Sequence, residues 1–268
     1  MKTFLLCMAC WLLGCTGSKA SSKPLVVTSL PPYVSIVQAI AGDYVDVISF
    51  LEEDDNPHTF EPTPKEMQTV ERAMLWIGVG EPFENRVTRV MNTANPHSKI
   101  LDLTTTTPTV QGDRHIWMSL RLMKSQAIAI SEAIAQITPD QALKIKANTT
   151  ALIKQLDKLD QQIFRQLLPL HGQALLVAHP SFTYFCNDYN LVQVPVESEG
   201  KDPLPTQLQV IFEMAKTTKF RCAITVPQGN NKGTGIIAEK MRLPIYSFNP
   251  LAENYLENMD HLAHLIAQ

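Results

Sequence analysis

The chain has 268 residues, 45% of them hydrophobic, and a formal net charge of −3. That is the composition of a globular protein able to bury a sizeable core, and no basic excess recommends nucleic acid as a partner. Of the five cysteines, Cys7, Cys10 and Cys15 crowd the first residues. Only Cys186 and Cys222 are left to pair in an oxidising compartment, as a disulfide or as two buried thiols.

Residues 1–14 read as a bacterial export signal: Lys2 supplies the charge, the run from Phe4 to Leu13 the apolar segment, and Gly14 the small residue before Cys15. The apolar run is too short to span a bilayer. Leu12-Leu13-Gly14-Cys15 has the form of a lipobox, in which Cys15 takes the lipid and becomes the new N-terminus, followed by a polar tether over 15–23.

From 24 to 138 short apolar runs alternate with helical patterns: strands over 25–27, 45–51 and 75–79, helices over 33–41, 64–73 and 82–91. Near-continuous apolar strands separated by helices predict a parallel sheet covered on both faces, and such sheets bind ligands at the carboxyl ends of their strands. A fourth helical pattern carries Met123, Ile128, Ile130, Ile134 and Ile137. The fifth, over 139–168, starts with Pro139 behind Thr138 as its cap and stops at Pro169. About thirty residues at 1.5 Å each make a helix on the order of 45 Å, long enough to bridge two lobes. Over 169–268 the alternation resumes, with strands over 174–178, 191–196, 222–226 and 245–248 and helices over 182–188, 206–217, 234–241 and 255–267.

Three histidines, His58, His115 and His179, fall at strand-to-helix turns beside aromatic residues: Phe60, Trp117, and Phe182 with Tyr184. His58 sits in Asn56-Pro57-His58-Thr59-Phe60-Glu61-Pro62, whose prolines leave little backbone freedom to lose on binding an ion. Zinc takes neutral imidazole nitrogens in a tetrahedron, and two lobes meeting at their strand ends would bring the three rings together. The other histidines suit plainer roles: His97 precedes a strand, at the wrong end for the cleft; His171 falls at a helix C-terminus; and His261 with His264 belongs to a solvated face.

The turn around His58, Asp113-Arg114-His115-Ile116-Trp117, Ala178-His179-Pro180-Ser181-Phe182-Thr183-Tyr184-Phe185, and the segment from Asn249 to Met259 occur in an order that resembles the zinc- and manganese-binding solute-binding proteins of bacterial ABC transporters, the cluster A-I metal-binding lipoproteins. The resemblance covers nearly the whole chain after the signal. It implies an α/β fold of two Rossmann-like lobes with parallel sheets, joined by one long rigid helix, with a single divalent ion in the interlobe cleft. It implies an extracytoplasmic, lipid-anchored, monomeric receptor that hands its cargo to a membrane permease driven by a separate ATPase. Carried across by position, His58, His115 and His179 are metal ligands, and histidine at the third position favours zinc over manganese or ferrous iron.

Three positions depart from the family pattern. Arg114 replaces a proline and is expected to loosen the turn before His115, and Pro180 stands where an acidic residue is common. Asn249 occupies the place of a ligand aspartate, so the fourth ligand is expected to be Asn249, a water, or a carboxylate such as Glu199 or Asp202. A zinc-dependent hydrolase also fits three histidines and a water, but no His-Glu-x-x-His helix supplies a general base. An adhesin built on the same fold is the third possibility.

Overall fold

The structure, a computed structural model, describes residues 23–110, 112–197 and 205–268. The export signal, Cys15, Glu199 and Asp202 lie outside the described residues. Two four-stranded parallel sheets organise the chain. The first comprises β1 (Leu25–Thr28), β2 (Asp46–Ser49), β3 (Leu75–Gly78) and β4 (Lys99–Asp102) in the order β2-β1-β3-β4. The second repeats that order with β5 (Ala174–Val177), β6 (Val192–Pro195), β7 (Phe220–Thr225) and β8 (Ile245–Ser247), running β6-β5-β7-β8.

Burial follows sheet position. The inner strands β3 and β5 are buried at every residue, whereas the edge strand β2 leaves alternate residues exposed. This is why the inner strands read as unbroken apolar runs. In each sheet the chain reverses its direction of growth beside the first strand, between β1 and β3 and again between β5 and β7. These are the switch points where the turns after the strands separate and leave a crevice.

Nine helices are described: α1 (Pro32–Ala41), α2 (Pro64–Val70), α3 (Glu84–Ala94), α4 (Leu120–Ile137), α5 (Ala142–Leu167), α6 (Thr183–Asp188), α7 (Pro205–Met214), α8 (Lys232–Met241) and α9 (Tyr255–Ala267). The long helix joining the lobes is α5, with 26 residues and a 3-10 turn of three residues at each end. Pro139 starts the first of these turns, and Thr138 makes no side-chain cap to it. The Thr138 hydroxyl instead donates back to the Ile134 carbonyl (2.7 Å) and closes α4, because the chain must turn before a proline can begin a new helix.

Helix α5 packs along α4, α1 and α9. Lys124 with Asp157 (2.7 Å), Thr149 with Ser131 (2.8 Å) and Gln162 with Asp260 (2.9 Å) mark that seam. One hydrophobic core therefore runs continuously from Val27 and Trp76 of the first lobe through Leu156 of α5 to Phe185 and Leu262 of the second. A smaller cluster around Leu176, Val194, Ile211 and Ile237 covers the far face of the second sheet. Cys186 and Cys222 are buried free thiols, and burial pushes the Cys222 thiol up to about 12.

Gln126 ties the core to the turn after His115. It is fully buried, accepts from the Tyr33 hydroxyl (2.6 Å) and donates to the Ile116 carbonyl (3.0 Å). Gln126→Leu leaves both partners dry and unpaired, at about 1–3 kcal/mol for each. The urea midpoint should fall with an unchanged slope; an unmoved midpoint would show that both groups find other partners.

Candidate metal centre

Each histidine is placed by a short local device. His58 follows β2, in a turn where the Asn56 side-chain oxygen accepts from the His58 backbone N–H (3.0 Å). Beyond it Phe60 packs edge-on against Phe50 and Phe83. His115 precedes a 3-10 turn over Ile116–Met118. One oxygen of Asp113 accepts both its backbone N–H (2.9 Å) and its ring Nδ1–H (2.7 Å). Those two bonds, with Gln126 holding Ile116, fasten the turn, so Arg114 in place of proline does not loosen it. His179 follows β5 at its carboxyl end.

The three rings converge. Nε2 of His179 lies 3.1 Å from Nε2 of His58 and 3.2 Å from Nε2 of His115. One nitrogen of each ring falls within 4.8 Å of the other two. The opposite nitrogen of each ring is held by a carboxylate: His58 by Glu81 (3.1 Å), His115 by Asp113 (2.7 Å) and His179 by Glu197 (2.5 Å). A neutral imidazole that donates Nδ1–H to a carboxylate presents a bare lone pair at Nε2. Lone pairs at this separation repel unless a proton or a cation lies between them. Bonds of 2.0–2.1 Å to a tetrahedral zinc ion require nitrogens about 3.3 Å apart, close to the spacing found.

Burial and charge set the protonation. His179 is pushed down to about 3, first by burial and then by the two neighbouring imidazoles, so its ring is neutral. His58 is raised, first by its hydrogen bond to Glu81, with burial opposing and the nearby Arg114 guanidinium also lowering it. Burial pushes the Asp113 carboxyl up, but the hydrogen bond and charge of His115 outweigh it and leave it below the usual range. Burial holds Glu197 above its ordinary value. Carboxylates behind the three rings, with His179 neutral, place negative charge around a cluster of nitrogen donors, an arrangement that suits a borderline-soft dication.

The rings open onto a cleft of about 880 Å³ walled by Asn56, Arg114, Thr183 and Gln228. On the inner side lies a pocket of about 40 Å³ bounded by Trp117, Val226, Pro250 and Leu251, with room for a water-sized group beside the nitrogens. Of the aromatic residues expected to keep water out, Trp117 does line this pocket, with its ring 5.2 Å from His115. Phe182 packs away from it against Phe248, and the Tyr184 hydroxyl donates to the Asp113 carbonyl (2.7 Å) and so steadies the loop carrying His115.

Asn249 is engaged elsewhere. Its side-chain oxygen accepts from Gln228 (2.7 Å) and from the Leu251 N–H (2.9 Å), which uses both lone pairs. Missing from the sequence-level site are Glu81 and Glu197. Both follow strands, β3 and β6, at their carboxyl ends, and that position is the only signal that could have found them. Glu81 is aimed by its neighbours. Gly80 takes a φ of +78°, where glycine is favoured, and the buried Glu84 carboxylate accepts from the Val79 (3.0 Å) and Gly80 (3.1 Å) N–H groups. His97, His261 and His264 are exposed on the surface, and with His171 they are outside the cluster.

The family model described as zinc-uptake complex component A, periplasmic (ZnuA), matches residues 26–268. The chain belongs to the ZnuA family. A crystal structure of ZnuA superposes with a TM-score of 0.85 at 30% identity, over 92% of this chain and 98% of that one. The periplasmic zinc-binding protein TroA from Treponema pallidum gives 0.81 at 19% identity, over 92% of this chain and 98% of that one, a likeness of fold alone. In sequence, the high-affinity zinc uptake protein ZnuA of Yersinia pestis is 22% identical over 91% of this chain and 88% of its own length. Membership of a family of uptake components sets the hydrolase aside.

Glu81→Gln should weaken zinc binding by about 10–100-fold, the usual cost of removing a carboxylate behind a ligand imidazole. The raised His58 makes protons compete with metal, so affinity falls as pH drops through the pKa of that ring. Removing the Glu81 charge lowers that pKa, and the acid arm of the affinity profile should move to lower pH. Chelator competition from pH 5 to 8 reads both effects; an unmoved acid arm would detach Glu81 from His58.

Proposed function

We propose that this chain is the solute receptor of a zinc importer, in which His58, His115 and His179 coordinate one Zn2+ through Nε2. The observation that carries this is the convergence of three Nε2 atoms, each from a ring whose Nδ1 is held by a carboxylate. The fourth coordination position faces the inner pocket and takes a water. Nitrogen donors favour zinc, because manganese prefers oxygen ligands, and the carboxylates here contact the rings. As a ZnuA-family receptor the chain works with a membrane permease and its ATPase, to which it delivers the ion from the extracytoplasmic side.

The same proposal divides the chain into an export signal over 1–14, a tether over 15–23, an N-terminal lobe over 24–138, a linking helix over 139–168 and a C-terminal lobe over 169–268. Cys15 carries the lipid that holds the receptor, as a monomer, at the membrane. No described helix is long and apolar enough to cross a membrane.

A competition titration of the metal-stripped chain, zinc against manganese, should find one zinc bound far more tightly than manganese. His115→Ala should cut zinc affinity tenfold or more, since it removes one of three donors; a change below twofold would overturn the ligand assignment. For the anchor, Cys15→Ala should move the full chain from the membrane fraction to the soluble one. Retention on the membrane would rule out Cys15 as the lipid site.

A further inference from the structure

Beside the histidines, three loops from the two lobes are joined by hydrogen bonds that metal coordination does not require. Gln228, after β7, is at their centre. Its side-chain amide donates to the Glu53 carbonyl (2.5 Å) and to the Asn249 side-chain oxygen (2.7 Å), and its main-chain carbonyl accepts from the Asn56 side chain (3.1 Å). Asn249, after β8, points its amide N–H at the Glu53 carboxylate (3.5 Å). The other oxygen of that carboxylate accepts from the Glu253 N–H (2.7 Å). Asn56 completes the path, because its side-chain oxygen holds the His58 backbone N–H (3.0 Å).

We propose that Gln228 and Asn249 are positioning residues. They clasp the loop after β2 to the second lobe, hold His58 against His179, and so set the rate at which the bound ion leaves. The proposal rests on the receptor function above. His58 is the ligand that needs such help: its side chain is 36% exposed, against 11% for His115 and 19% for His179. Its Nδ1 is anchored within its own lobe by Glu81, whereas its loop reaches the other lobe through the Gln228 side chain on the Glu53 carbonyl and through Asn56 on the Gln228 main chain.

The chemistry also explains an amide at position 249. Asn249 accepts from Gln228 and Leu251 while donating to Glu53, which an amide does and an ionised aspartate cannot. An aspartate there would set a second carboxylate against Glu53 with no proton between them. The clasp joins loops on lobes that already share one core, so its loss should spare the fold and act on the site.

The experiment is zinc release measured by stopped flow into excess chelator, with cobalt absorption reporting the donor set. Gln228→Ala should speed release about tenfold, the scale on which residues that orient ligands act, with the tetrahedral cobalt spectrum and the unfolding midpoint retained. Asn249→Asp should also speed release. Adding Glu53→Gln, which exchanges donor and acceptor, should bring the rate back to within about threefold of the unaltered chain, a rescue that general loosening would not give. Release within twofold of the unaltered chain in Gln228→Ala, slower release in Asn249→Asp, or no rescue by Glu53→Gln would each overturn the clasp. Failure of the unaltered chain to bind zinc would instead overturn the receptor function, and would be seen before any variant was tested.

Discussion

The pairing of each imidazole with a carboxylate is the constraint on which the site depends. A free imidazole can carry its proton on either nitrogen, and three such rings pushed together would settle into hydrogen bonds with one another. Glu81, Asp113 and Glu197 prevent this by accepting at Nδ1, which leaves every Nε2 as an acceptor with no donor facing it. The cluster is therefore frustrated without a cation, and a cation relieves repulsion as well as forming bonds. The low pKa of His179, set first by burial and then by its two neighbours, keeps that ring unprotonated and open to a cation.

The fold supplies this arrangement through topology. His58 and Glu81 follow β2 and β3 of one sheet, and His179 and Glu197 follow β5 and β6 of the other, all at carboxyl ends. Asp113 and His115 come from the connection into α4, where Trp117 donates its indole N–H to the Pro250 carbonyl (2.8 Å) and so joins that connection to the second lobe. Because α5 and α9 carry one core across both lobes, closure by a wide hinge would have to break close-packed contacts. Smaller movements of the loops are cheaper, since those loops are held by a few hydrogen bonds at partly exposed positions. With the proposed clasp, capture and release belong to the turns around His58, Gln228 and Asn249 rather than to the lobes as bodies.

Much of this was legible in the sequence, for physical reasons that differ by feature. Inner strands such as β3 and β5 are buried on both faces and announce themselves as apolar runs; edge strand β2, exposed at alternate residues, is shorter at both ends than the apolar pattern over 45–51. The histidines were legible because each follows a strand or a constrained turn, and because the motifs around them resemble a known family. The carboxylates behind them were not, since a glutamate after a strand looks like any solvated loop residue until the fold brings a ring to it. Glu81 shows this well: its carboxyl contacts His58, 23 positions earlier in the chain. Thr138 misled for a local reason, because a threonine before a proline serves equally to close one helix or to open the next.

Asn249 brings these threads together. At an ion site an aspartate and an asparagine differ by a full charge, but in a hydrogen-bonded clasp they differ by the presence of a donor. Here the donor points at Glu53 and the acceptor is filled twice, so the amide serves the lobes and, in the proposed site, the ion is left to ring nitrogens. The carboxylates that compensate the ion's charge then lie one ring further out, where they strengthen the imidazoles as donors without offering oxygen ligands to a harder metal. Such a site favours zinc by donor type, while the grip on the ion depends on how firmly three turns are held together. A receptor that must surrender its cargo gains from that division, because a partner that disturbs one exposed loop can weaken the site without unfolding either lobe.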